Sequence, residues 1–241
     1  MSGHSKWATI KRKKAALDSK RGKMFTRLIK EITIAARDGG GDPDGNPRLR
    51  LAVDNAKSAN MPADNIDRAI KKATGELEGA QYHEVIYEGY GPGGIAILIE
   101  AATDNKNRTI AEVRHIFGKN GGSLGESNSV AWMFERKGNI TLKRQGESED
   151  DMMEIILESG ADDLQTEDEF FEVTTSLESF ENVRKFLLSK NLTIENASLQ
   201  WIASNHVASS GEDSEKIMKL VEALEDCDDV QNVFTNADFV D

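Results

Sequence analysis

Glu84-Val85-Ile86-Tyr87-Glu88-Gly89-Tyr90-Gly91-Pro92-Gly93-Gly94-Ile95-Ala96-Ile97-Leu98-Ile99-Glu100-Ala101-Ala102 is the stretch where the period of this chain changes. Residues 84–90 read as a strand. Gly91 to Gly94 form a loop. Residues 95–102 are an almost unbroken apolar run, the pattern of a strand buried on both faces. The four-residue connection points to a hairpin turn. It lacks the spacing and the following Lys-Ser/Thr of a phosphate-binding loop.

Upstream of this hairpin the apolar spacing is helical throughout. Phe25, Leu28, Ile29, Ile32 and Ala36 follow the i, i+3, i+4, i+7 pattern of a core-facing stripe. Before them, Trp7, Ile10 and Leu17 give a first helix a thinner stripe. Gly39-Gly40-Gly41-Asp42-Pro43-Asp44-Gly45-Asn46-Pro47 stops the second helix and makes a long loop. Its acidic residues do not form a calcium loop, because the sixth position would be Pro47 and the twelfth Val53; a mobile loop near a partner is the expectation. A third helix uses Leu49, Ala52, Val53 and Ala56. A fourth opens at Pro62, uses Ile66, Ala69, Ile70 and Ala73, and ends at Gly75. Residues 1–79 are therefore expected to be an all-helical domain.

Downstream, Asp104 and Asn105 read as turn and helix-start residues for a helix on Ile110, Val113 and Phe117. Val130, Trp132 and Phe134 then alternate as a strand with one buried face. From Gly138 the order is strand (139–143), helix (151–159), two strands (near Leu164 and at 170–174), helix (177–189) and a strand at 192–195 or 199–203. This is the β-α-β-β-α-β order of a ferredoxin-like unit. A helix on Ile217, Leu220, Val221 and Leu224 and a strand at 230–235 are too little for a domain, so they should complete the sheet begun at Glu84. The expected fold class is α+β: a helical domain (1–79), a discontinuous α/β domain (80–136 with 206–241), and a ferredoxin-like α/β domain (137–205) inserted in it.

Charge divides the chain as sharply as periodicity does. The first 37 residues hold 11 basic and 2 acidic groups, net +9, whereas the whole chain is −12. Residues 80–241 alone are −19. A basic head on an acidic body implies a polyanionic partner, most often nucleic acid, touched by the head while the body is held away. The candidate contacts are His4, Ser5, Lys6, Trp7, Lys11, Arg12, Lys13, Lys14, Lys20, Arg21, Lys23, Arg27 and Lys30. Lys11 to Lys14 are consecutive, so on a helix they fan around most of its circumference and most must face solvent or a partner. Lys23, Arg27 and Lys30 fall beside the apolar stripe, near the edge of the exposed face. Trp7 reads either as core or as a ring for stacking on an unpaired base.

Other classes find little support. The 241 residues allow two or three domains, and 38% hydrophobic with 30% charged content is globular. No apolar run approaches the ~18 residues of a membrane span. A single cysteine, Cys227, leaves no internal disulfide or multi-cysteine metal site and points to a reducing cytoplasm. The histidines His4, His83, His115 and His206 are scattered, and no nucleophile elbow is present. Neither an enzyme nor a cofactor is expected.

Gly3-His4-Ser5-Lys6-Trp7-Ala8, Lys20-Arg21-Gly22-Lys23, Gly39-Gly40-Gly41-Asp42-Pro43, Asn60-Met61-Pro62, the Glu88 to Gly94 segment and Thr103-Asp104-Asn105 together resemble the YebC/PmpR family along the whole chain. Arg12 departs from the His that relatives often carry, with charge retained. The resemblance implies a helical N-terminal domain and two α/β domains, the last inserted in the middle one. It also implies DNA-binding transcriptional regulation, or, as for relatives that include a mitochondrial translational activator, action on translation at the ribosome through structured RNA. A bacterial cytoplasmic protein, monomeric and without a membrane partner, is the corresponding expectation.

Overall fold

The computed structural model describes residues 18–239, which form two compact units. One runs up to Phe134 and resumes at Ala203; the other is Glu135–Ile202. The fold is α+β, with helices first and sheet-bearing segments after them.

In the first unit, α1 (Asp18–Gly39) packs against both α2 (Pro47–Ser58) and α3 (Ala63–Ala73). Ile32, Ala35, Ala36, Leu49, Ala52, Ala56, Met61, Ile66 and Ala69 are buried between them, with Phe25, Leu28 and Ile29 packed at the margin. That is the stripe the 3.6-residue period marked out. Each fully buried Ile or Leu here contributes about 1.5–3 kcal/mol. The glycine- and proline-rich connection is pinned by buried Asn46. Its side-chain amide donates to the Ala35 and Gly40 carbonyls at 2.7 and 2.9 Å, while its oxygen caps α2 by accepting from Leu49 N at 3.1 Å. The connection itself is largely exposed, and Asn46 is its one buried polar joint. Pro62 lies just ahead of α3, in extended conformation.

The hairpin forms β1 (His83–Tyr90) and β2 (Ala96–Thr103), antiparallel from His83↔Thr103 to Tyr90↔Ala96. With the short β3 (Ser123–Leu124) and β9 (Val230–Thr235) they make a four-stranded sheet of order β3-β1-β2-β9. The C-terminal strand thus does complete the sheet begun at Glu84. Helices α4 (Lys106–Lys119) and α7 (Gly211–Asp226) bury Val113, Phe117, Ile217, Leu220, Val221 and Leu224 against Tyr87, Ile97, Ile99 and Val233. Gly89 is required by this packing. A Cβ there would lie 2.6 Å from the Ser123 carbonyl oxygen and 2.7 Å from the Phe117 ring. A short parallel pair, β8 (Val207–Ser209) with β10 (Ala237–Phe239), closes the unit.

In the second unit, β4 (Phe134–Lys143), α5 (Glu149–Ser159), β5 (Asp163–Thr166), β6 (Phe170–Thr175), α6 (Phe180–Ser189) and β7 (Ile194–Ala203) follow the β-α-β-β-α-β order. The sheet order is β5-β6-β4-β7. Two expectations need correction. Residues 192–195 and 199–203 are not alternative strands, because one continuous β7 begins within the first and contains the second. Residues 130–134 are not an alternating strand either. Ala131–Met133 is a turn of 3-10 helix that leaves Trp132 exposed, and the strand begins only at Phe134.

Candidate nucleic-acid interface

Helix α1 holds six of the eleven basic groups of the head, and cations fix it to the rest of its unit. Lys23, Arg27 and Lys30 are spaced i, i+4, i+7, so they share one face. That face meets the C-terminal end of α7 and the turn after it. Lys23 Nζ donates to the Asp226 carbonyl at 3.0 Å and to its carboxylate at 2.9 Å. Arg27 donates to the Glu225 carbonyl. The last carbonyls of a helix lack intrahelical partners and carry the negative end of its dipole, so cations are suited to this position.

Lys30 goes deeper. It is only 5% exposed, and its Nζ reaches the Ala102 carbonyl (3.0 Å), the Asp228 carbonyl (2.8 Å) and Asp229 Oδ1 (2.9 Å). The Tyr82 ring lies 5.3 Å from the same ammonium. Asp229 is the hub. Its Oδ2 accepts from Arg108 at 2.6 Å, Thr109 at 2.7 Å and Thr103 at 3.1 Å. Burial would push its pKa up, but hydrogen bonds from Arg108, Thr109 and Lys30 outweigh that and hold the carboxyl far below the usual carboxylate range. A second tie lies further along the head. Arg48 bridges Glu31 at 2.8 Å and Glu84 at 2.6 Å, linking α2 to α1 and to β1. Arg37 also donates to the Tyr82 carbonyl.

The expected contacts fall in different places. Lys30 is not near an exposed face; it is a buried structural cation. Lys23 and Arg27 are occupied by the body of the same unit. Lys20 and Arg21 lie on the first turns of α1. His4, Ser5, Lys6, Trp7, Lys11, Arg12, Lys13 and Lys14 lie outside the described residues. On the rest of the helical head, Lys57, Arg68, Lys71 and Lys72 are cations at the surface that the sequence pattern alone did not mark as candidates. Among the described residues, no group of three His, Cys, Asp or Glu could hold a metal ion, and no helix is long and apolar enough to cross a membrane.

Two family models cover nearly the whole chain. Residues 5–76 match the TACO1/YebC protein N-terminal domain, and residues 82–237 match the TACO1/YebC second and third domain. The chain belongs to the TACO1/YebC family. A relative from Chloroherpeton thalassium is 60% identical over 237 residues, covering 98% of this chain and 95% of its own. One from Chlorobaculum tepidum is 59% identical over 239 residues, covering 99% and 95%. Both are named probable transcriptional regulatory proteins. Among solved structures, a conserved hypothetical protein from Aquifex aeolicus superposes with a TM-score of 0.89 at 47% identity over 94% of each chain. The family boundary between residues 76 and 82 falls where the helical head meets β1, the junction spanned by the Arg48–Glu84 and Arg37–Tyr82 ties.

Proposed function

We propose that this protein is a non-catalytic regulator of gene expression that binds nucleic acid through its basic N-terminal segment. The observation that carries the reading is the charge division: net +9 in the first 37 residues of a chain that is −12 overall. Cationic side chains replace condensed counterions on a phosphate backbone, and the released ions drive binding. The acidic remainder repels the same backbone and confines contact to the head. The mount of α1 supports this division of labour. Lys23 and Arg27 hold α1 to the end of α7, and Lys30 holds it to β2 and the turn after α7, so these three cations serve the fold.

The names of the relatives point to transcriptional regulation, for which duplex DNA would be the target. A second reading, a ribosome-associated factor on structured RNA, is favoured by the body. At −19, residues 80–241 are repelled by a duplex that carries one charge per ~1.7 Å of axis. A cleft of folded RNA and protein can admit the head alone. The head is also rich in Lys and Arg and poor in the Asn and Gln that read base edges. The experiment is a competition at ~0.15 M salt between labelled duplex DNA and purified ribosomes for the full chain. Duplex binding limited to the ~10⁻⁴–10⁻⁶ M of non-specific contacts, with tighter ribosome binding, supports the RNA reading. A duplex sequence bound at ~10⁻⁸ M, at least ~10³-fold better than scrambled DNA, establishes the transcriptional one. Loss of neither when the head is neutralised refutes both.

A further inference from the structure

Trp132 is 71% exposed, yet the loop that presents it is braced by several hydrogen bonds. The brace is Glu88 on β1, only 6% exposed. Its Oε1 accepts from the Asn128 backbone N–H, and its Oε2 accepts from those of Val130 and Ala131, each at 2.7 Å. Tyr90 Oη donates to the Ser129 carbonyl at 2.8 Å, and the Trp132 indole N–H donates to the same oxygen at 3.1 Å. Gly125 N is bonded to the Glu88 carbonyl, and Met133 N to that of Val130. Asn128 holds a positive φ of 66° within the loop. Burying a carboxylate is costly unless its hydrogen bonds are made. Here it makes three, and their effect is to fix a loop whose outward product is an indole ring in water.

A large aromatic fixed before binding loses little conformational freedom on association, and Trp is the residue type most enriched among binding hot spots. The charge of the loop defines the partner. Between Ser123 and Met133 there is no Lys or Arg, and exposed Glu126 is the sole charged residue. A phosphate backbone finds no cation on this loop, whereas a basic protein surface finds an apolar anchor on a loop whose one charge is a carboxylate.

We propose that Trp132, on the loop braced by Glu88, anchors a protein partner through an apolar pocket rimmed by lysine or arginine. This surface uses none of the residues of the basic head, and its test stands whichever nucleic acid the head binds. The test is Trp132→p-benzoylphenylalanine in the full chain, photolysed in growing cells, with the same replacement at exposed Glu178 as control. The urea midpoint of each variant confirms an intact fold. The expected adduct is destroyed by protease and untouched by nuclease, and its crosslinked peptide carries Lys or Arg beside apolar residues. Introducing Glu126→Lys lowers its yield several-fold. With the identified partner purified, Trp132→Ala binds about tenfold or more weakly than wild type. A nuclease-sensitive adduct, a crosslink into an acidic segment, or a yield no greater than at position 178 overturns the proposal.

Discussion

Removing Asp229 should weaken the first unit more than removing Lys30, its buried partner. In Asp229→Ala, the Lys30 ammonium stays buried with only the neutral Ala102 and Asp228 carbonyls as acceptors. An uncompensated buried charge of this kind typically costs about 3–5 kcal/mol. Arg108 loses little, because it is half exposed and keeps Asp104 at 2.9 Å. In Lys30→Met, the carboxylate keeps Arg108, Thr109 and Thr103, so the cost should be nearer ~1–3 kcal/mol. The two changes share one interaction, so the double variant should cost less than the sum, with a coupling of about 0.5–3 kcal/mol. Urea unfolding of the four chains gives these values. Amide exchange along α1 shows whether the head is what comes loose. The reasoning is refuted if Asp229→Ala costs under ~1 kcal/mol, if Lys30→Met is the worse change, or if the two effects are additive.

The same carboxylate sets an acid limit. Its folded pKa is depressed, so its stabilisation is present above the unfolded value of ~3.9 and is lost as pH falls below it; Asp229→Asn should flatten the stability profile below about pH 4. Lys23→Ala with Arg27→Ala should leave the slope of log K against log salt for nucleic-acid binding unchanged, because those cations serve α7 carbonyls; a slope reduced by about 0.7–0.9 per residue would make them phosphate ligands. Glu88→Gln replaces one of the accepting oxygens by a donating amide NH2 and should destabilise the first unit by about 1–3 kcal/mol, read from its urea midpoint; an unchanged midpoint would mean the loop is not held by the carboxylate.

What was legible in the sequence was the local periodicity. The stripe from Phe25 to Ala36, the 84–102 hairpin and the β-α-β-β-α-β order each rest on spacing within one element, and the sheet and helices follow it. What was hidden depends on pairs far apart in the chain. Lys30 and Asp229 are separated by 199 residues, and nothing local distinguishes a lysine that will be buried from one that will bind phosphate. The i, i+4, i+7 spacing of Lys23, Arg27 and Lys30 was visible as a shared face, but the helix end that satisfies it was not. Trp132 misled for a related reason. The alternation of Val130, Trp132 and Phe134 is that of a strand, but the N–H groups of Val130 and Ala131 are taken by the Glu88 side chain, so the backbone turns out of the ladder. In β7, Asn196 and Ser198, on either side of buried Ala197, broke the apolar pattern without breaking the strand.

The central claim is that the basic N-terminal segment, and not the rest of the chain, binds nucleic acid. Its most direct test is the salt dependence of binding by the full chain with Lys11, Arg12, Lys13 and Lys14 all changed to Ala, against wild type, with duplex DNA and with ribosomes. The account predicts an unchanged unfolding midpoint, a strong fall in affinity, and a slope of log K against log salt reduced by about 0.7–0.9 for each phosphate no longer neutralised. An unchanged slope and affinity would contradict it.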